Sequence, residues 1–338
     1  MNRKICLKDI AEKVGVSTAL VSYVLNNKKE GRIKKSVAEK IREVATELNY
    51  RTNQIAKSLK TNRTYTIGLI VSDISNPFSS NLARIIEDEA DKNNYTVIFG
   101  SFDESLQRSD KLIDTFLNRQ VDGLIIAPGE NATSQVLLLM QQKVPFVLVD
   151  RYFPDIRTNY VAIDNYSAAY GAVEHLIGSG FKRIGMISFE TGLFNIKERD
   201  RGYIAAQEKN GIEYNEECLI KISNENLPAD VERAINTMLQ KEQPIDALMF
   251  ATNAIATHGL KHIKNLHIKV PEQLALVSFD KTDALDLFYA PLTCIDQPLA
   301  EMGRIATKIL LDAIEGSDAI TQLNLPAELL IRSSTMHQ

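Results

Sequence analysis

From residue 66 onward, short apolar runs alternate with longer stretches of helical period, and this alternation constrains the fold more than any other feature. The runs are Thr66–Val71, Tyr95–Ser101, Gly123–Ala127, Phe146–Asp150, Val161–Ile163, Arg183–Ser188, Ala247–Phe250 and Ala275–Phe279. Strands separated by helices predict parallel sheets built from βαβ units. There are too many strands here for one compact sheet, so two similar lobes are expected. In open α/β sheets ligands bind beyond the carboxyl ends of the strands, and two facing lobes make a cleft there. A dinucleotide-binding fold is the obvious competitor. However, Thr66–Val71 is followed by Ser72-Asp73-Ile74-Ser75-Asn76-Pro77-Phe78, with no GxGxxG. Gly178-Ser179-Gly180 follows a helix rather than a strand and reads as its C-terminal turn.

The first sixty residues have a different texture. Leu7, Ile10, Ala11 and Val14 recur at helical spacing, and Gly15 supplies the stop. Ser17 is a good N-cap for a second helix from Thr18 to about Leu25, with Val21, Val24 and Leu25 as its apolar stripe. Two short helices joined by a Gly-containing turn make a helix-turn-helix. A third periodic segment, with Val37, Ile41, Val44, Ala45 and Leu48, closes a small all-α core.

Charge separates the same two regions. Residues 1–63 carry 15 Lys/Arg against 6 Asp/Glu, whereas the remainder carries 24 against 37. The net charge of −4 therefore hides a basic head on an acidic body, the asymmetry of a chain whose one end meets a polyanion. Lys28, Lys29, Arg32, Lys34 and Lys35 sit between the second and third helices, where they can add phosphate attraction or simply solvate a loop.

These residues carry a family resemblance. Leu7-Lys8-Asp9-Ile10-Ala11-Glu12-Lys13-Val14-Gly15-Val16-Ser17, then Val21-Ser22 and Val24-Leu25-Asn26, resembles the headpiece of the LacI/GalR (lactose-repressor) family. Leu48-Asn49-Tyr50 followed by Asn53, Ile55, Ala56 and Leu59 is similar to that family's linker. In the body the likeness continues through Ile67–Val71 with Ser75–Phe78, Val121–Ile125, Val149-Asp150-Arg151, Glu174-His175-Leu176, Arg183-Ile184-Gly185, Gly202-Tyr203 and Val277–Asp280. It covers about residues 5–335. The resemblance implies a helix-turn-helix headpiece over 1–51, a hinge over 52–63, and an effector-binding and dimerisation domain over 64–338 with the fold of periplasmic sugar-binding proteins. Its first lobe is expected at about 64–164 plus 295–324, and its second at about 165–294 plus 325–338.

For DNA, the second helix of such a motif enters the major groove with its N-terminal residues against base edges. By resemblance Thr18, Ala19 and Tyr23 occupy base-reading positions, Ser17 and Ser22 fall where hydroxyls hold phosphates, and Asn26 completes the set. Tyr23 stands where the family usually has Arg, so bidentate guanine reading is lost there. Leu20 stands where Thr is common. In the hinge, Asn53, Ala56 and Leu59 match the family's minor-groove segment, in which an apolar wedge kinks the duplex. Thr52 replaces a frequent Pro.

For the effector, the resemblance places Phe78, Asp150, Arg199, Asp280 and Gln297 at the family's cleft contacts, with Arg151 as a further candidate. Carboxylates and a guanidinium with an aromatic face suit a polyhydroxylated, sugar-like ligand. Thr252-Asn253 stands where the family usually has Asn-Asp, so Asn253 is expected in the cleft with an amide in place of a carboxylate.

No catalytic residue, metal ligand or cofactor motif is assigned. His258 and His262 have i, i+4 spacing, but Gly259 excludes HExxH. Cys6, Cys218 and Cys294 are far apart and read as reduced thiols. The basic residues near Met1 lack an apolar run behind them, and no segment reaches membrane-spanning length. The expectation is a cytoplasmic, nucleoid-associated homodimer that binds double-stranded operator DNA under small-molecule control, with no membrane partner and no enzyme activity. The competing readings are a sugar-binding transport receptor sharing the body, and an enzyme with an appended DNA module. A purine-type effector is the narrower alternative.

Overall fold

A computed structural model describes residues 5–26, 32–50, 63–212 and 215–336. The chain divides into a small unit, residues 1–64, and a large one, residues 65–338.

The small unit is helical: α1 (Leu7–Val14), α2 (Thr18–Leu25) and α3 (Lys35–Glu47). Cys6 N–H donates to Asp9 Oδ2 at 2.7 Å, which satisfies a free donor at the start of α1. Gly15 ends α1 with φ 77°, a left-handed conformation that glycine adopts without a Cβ penalty. Its N–H donates to Ala11 O at 2.9 Å. Ser17 Oγ then accepts from Leu20 N at 3.3 Å and starts α2. Ile10, Val21 and Ile41, one from each helix, are completely buried together. Leu20 also packs against this cluster.

The large unit contains two sheets of the same design. In the first lobe, β1 (Thr66–Val71), β2 (Thr96–Ser101), β3 (Gly123–Ile126), β4 (Phe146–Val149) and β5 (Tyr160–Ile163) alternate with α4 (Pro77–Asp91), α5 (Leu106–Asn118) and α6 (Thr133–Gln141). In the second, α7 (Asn165–Gly178) leads into β6 (Ile184–Phe189), α8 (Phe194–Lys209), β7 (Leu219–Ile222), α9 (Leu227–Leu239), β8 (Ala247–Phe250), α10 (Asn253–Asn265), β9 (Ala275–Phe279), α11 (Asp283–Asp286) and β10 (Thr293–Asp296). The chain then returns through α12 (Leu299–Ile314) to β11 (Gln322–Leu325) and finishes with β12 (Glu328–Leu330).

The sheet orders are β11-β5-β4-β3-β1-β2 and β12-β10-β9-β8-β6-β7. Each is a doubly wound arrangement in which β1 or β6 lies inside and the order reverses beside it. The central strands pair in parallel, as Leu69 with Ile125 and Met186 with Met249. Strands β3, β4, β8 and β9 are buried along their whole length, which explains sequences that are apolar apart from the buried Ser278 of β9. The exception is β12, antiparallel to β10.

The chain crosses between the lobes after β5, after β10 and after β11. Ile295 and Asp296 belong to β10 in the second lobe, and Leu325 pairs with Ile163 in the first. Four strands, β7 and β10 to β12, were not among the expected runs. Outer strands β7, β11 and β12 carry mixed burial, as in Leu219–Ile222, where buried ends flank half-exposed Ile220 and exposed Lys221. Such strands lack a continuous apolar run.

Candidate functional site

The carboxyl ends of both sheets border one cleft of about 540 Å³ in the large unit. Asp150 follows β4 and Asp280 follows β9, so the two carboxylates occupy equivalent places in the two lobes. Both residues have left-handed backbones, with φ 64° and 65°. A non-glycine residue pays for that conformation, although aspartate tolerates it better than most, and strained backbones cluster at functional positions. The turn aims each carboxylate out of its strand end into the shared space.

Gln297, on the crossing after β10, is held by Asp280: Gln297 Nε2 donates to Asp280 Oδ1 at 2.6 Å. Gln297 is 6% exposed, and its Oε1 is buried without a hydrogen-bond partner. Arg199, on α8, is 3% exposed. Its Nε donates to Asn165 Oδ1 and its Nη1 to Ala251 O, both at 2.7 Å, while its guanidinium lies 3.8 Å from the centre of the Phe279 ring. Burial lowers the Arg199 pKa from its usual value, opposed by the charges of Asp280 and Asp150. Burial likewise raises the Asp150 pKa, opposed by Arg151 and Arg199.

Arg151 is differently placed from Arg199. Its Nη1 and Nη2 donate to Glu104 Oε2 and Oε1 at 3.0 and 2.7 Å, a bidentate pair at the cleft wall. Its Nε stands 3.7 Å from Asp150 Oδ2, an ion-pair distance rather than a hydrogen bond. The cleft therefore brings together Phe78, Asp150, Arg151, Arg199, Asn253, Asp280 and Gln297, all seven of the residues expected there.

Several lining residues were not foreseen. Asn76 caps α4, its Oδ1 accepting from Phe78 N at 3.0 Å, and it also bonds to Asn253 across the cleft. Asn76 lies in the Ser75–Phe78 segment that resembles the family's first cleft loop, but no role for its side chain was assigned beyond an Asn before Pro at a helix start. Thr191 Oγ1 of the second lobe donates to Glu130 Oε2 of the first at 2.7 Å. Behind the lining, Tyr152 meets Phe194 edge-on at 5.2 Å and stacks on Tyr160 at 3.9 Å. Burial and the neighbouring Tyr160 push the Tyr152 hydroxyl up to about 12.

In the small unit, Ser17, Thr18 and Ala19 are exposed on the first turn of α2, whereas Ser22 and Tyr23 are half-buried. Asn26 turns back on its own helix, its Nδ2 donating to Ser22 O at 2.8 Å. Asn53, Ala56 and Leu59 lie outside the described residues.

Residues 6–53 match the model of bacterial regulatory proteins of the lacI family, and residues 173–335 match a periplasmic binding protein-like domain. The chain is 31% identical to a probable HTH-type transcriptional regulator, EndR, of Paenibacillus polymyxa, covering 91% of this chain and 90% of that one. It belongs to the LacI family. A second member, the HTH-type transcriptional repressor CytR of Escherichia coli, is also 31% identical, over 97% of this chain and 96% of its own. The lac repressor dimer bound to operator and an anti-inducer has the same fold, with a TM-score of 0.87 over 99% of this chain and all of that one at 22% identity. As a LacI-family protein the chain is a DNA-binding transcription regulator, of a family that regulates rather than catalyses. No helix among the described residues is long and apolar enough to cross a membrane.

Proposed function

We propose that this LacI-family regulator is a repressor whose operator affinity is set by a sugar-like effector bound between Asp150 and Asp280. The observation that carries the reading is the pairing of these two carboxylates, one at the same strand end of each lobe, around a cleft that also holds Arg199 and Gln297. A ligand that bonds to both aspartates links the lobes and favours one angle between them. Binding energy can shift that equilibrium only as far as the ligand distinguishes the two arrangements. Coupling is reciprocal, so an effector that weakens operator binding itself binds more weakly to the operator complex.

The headpiece is assigned residues 1–51, the hinge 52–63 and the sensor 64–338. Ser17, Thr18, Ala19, Ser22, Tyr23 and Asn26 meet the operator's major groove, and Asn53, Ala56 and Leu59 its minor groove. A homodimer presents two headpieces to half-sites about one helical turn apart, so a small rotation misaligns the pair.

The test uses the full chain and labelled palindromes from its own upstream region, with a panel of sugars, in fluorescence anisotropy. One panel member should shift the operator titration, and Asp280→Ala should abolish that shift while leaving effector-free operator affinity unchanged. Equal loss of both in a folded variant overturns the division of labour between cleft and headpiece.

A further inference from the structure

The charge of the cleft restricts the ligand more sharply than its shape does. Seven carboxylates line it, from Asp73, Asp103, Glu104, Glu130, Asp150, Glu190 and Asp280, against two guanidinium groups, Arg151 and Arg199. The charge of Arg151 is met by its bidentate pair with Glu104, which uses both terminal nitrogens and leaves Nε without a hydrogen-bond partner. Asp103 is neutralised from outside the cleft by Arg108. Five carboxylates then face a single guanidinium, and two nitrogens of that group are already bonded to Asn165 and Ala251.

The hydrogen-bonding capacity left over leans the same way, with Arg151 Nε the one buried cleft donor without a partner among the described residues, against acceptors on Asp150, Asp280 and Gln297. Asp280 spends one oxygen on Gln297. Gln297 Oε1 is buried with nothing donating to it, a desolvation cost that a donating ligand removes. Among the described residues, no hydrogen bond reaches the Asp150 carboxylate either; its nearest cation is Arg151 Nε, at 3.7 Å. The floor of the cleft thus asks its occupant for donated hydrogens. Low-dielectric walls focus the field of these charges into the cleft mouth.

Resting on the effector reading above, we infer that the cleft takes a neutral or amine-bearing polyol and rejects its phosphorylated and carboxylated counterparts. A phosphate supplies acceptors where acceptors already stand, and its charge meets the carboxylates of Asp73, Glu130 and Glu190 on entry. A hydroxyl or ammonium group donates to Asp150, Asp280 and Gln297 Oε1. Discrimination of this kind comes from repulsion of the wrong ligand as much as attraction of the right one.

Matched sets decide it. Glucose, glucosamine and glucose 6-phosphate, together with ribose, ribose 5-phosphate, cellobiose and gluconate, are titrated into the full-length protein by calorimetry and thermal shift. The tightest ligand should be neutral or amine-bearing, with its phosphorylated or carboxylated analogue at least about tenfold weaker, a gap of about 1.4 kcal/mol. The gap should narrow in high salt, which screens the rim charges. Glu190→Lys, at an exposed rim position, should narrow it too. An anionic member binding as well as its neutral partner, or a gap that ignores both salt and Glu190→Lys, overturns the inference while leaving an effector cleft in place. If no member of any set binds, the effector reading itself falls and takes this inference with it.

Discussion

Asn76 and Asn253 bond to each other twice across the cleft: Asn253 Nδ2 donates to Asn76 Oδ1 at 2.8 Å, and Asn76 Nδ2 donates to Asn253 Oδ1 at 3.2 Å. Asn76 cannot reverse its amide freely, because the same Oδ1 caps α4 by accepting from Phe78 N. The pair therefore needs a donor at position 253. This accounts for the amide found where the family commonly has a carboxylate: an aspartate there would set oxygen against oxygen.

Asn253→Asp should accordingly loosen the contact between the lobes at this point. It removes one hydrogen bond, worth about 1 kcal/mol, and adds a like-polarity contact. The ligand-free protein should show a larger radius of gyration in small-angle scattering. Affinity for the best sugar of the panel should fall by about fivefold or more, since closure then draws on binding energy. Unchanged scattering together with unchanged affinity would show that the amide pair does not hold the lobes.

The Asp150 carboxyl gives a pH-dependent test of stability. Burial raises its folded-state pKa above the ordinary carboxylate value, so the folded protein holds that proton more tightly than the unfolded chain does. Its ionisation then costs stability, which is lost as pH rises through the folded pKa and regained as pH falls back towards the unfolded value. Asp150→Asn removes this cost and keeps a side chain that tolerates the left-handed backbone. The variant should melt higher than the wild type at pH 7.5, by an amount that shrinks as the pH is lowered towards 4. A variant that melts lower at neutral pH would mean that the Arg151 and Arg199 charges outweigh the burial.

How much of this was readable beforehand follows from where each signal resides. Asp150 and Asp280 were marked by the family resemblance, and their places directly after mainly apolar strands agree with it, since ligands gather beyond the carboxyl ends of such strands. Arg199 had no such local mark, and only the likeness to a known family pointed to it. Asn76, Glu104 and Glu130 escaped because their roles depend on partners 177, 47 and 61 residues away. A loop glutamate looks the same in sequence whether it solvates or pairs. Arg151 shows the same ambiguity from the other side: it was expected to face a ligand, and both of its terminal nitrogens are bonded to Glu104.

Packing between α7 and α8 offers a prediction that is independent of any ligand. Gly202 is buried, and a Cβ added there would lie 2.3 Å from Tyr166 O and 3.0 Å from Tyr170 N, both backbone atoms. Neither can rotate away, so the helices must separate. Next to it, Tyr203 is fully buried and its hydroxyl donates to Ile184 O at 2.7 Å, tying α8 to β6. Gly202→Ala should cost about 1–3 kcal/mol or more, as overpacking typically does. Chemical denaturation followed by circular dichroism reads it directly. A loss below about 0.5 kcal/mol, the range of ordinary surface changes, would mean that the interface has slack.

Tyr23 lies on α2 beyond the exposed turn of Ser17, Thr18 and Ala19, and its side chain is half-buried. A tyrosine presents one hydroxyl and a ring edge, which can touch a thymine methyl but cannot bracket guanine O6 and N7 as arginine does. Tyr23→Arg should therefore move the preferred base at one position of each half-site towards guanine, with a discrimination of about 1–3 kcal/mol against the other bases. Selection from a randomised palindrome library, followed by anisotropy at fixed salt, measures it. Salt must be held constant because the added cation also strengthens binding to every sequence. A uniform gain across the library, without a change in the selected base, would place Tyr23 against phosphate and leave base reading to Thr18 and Ala19.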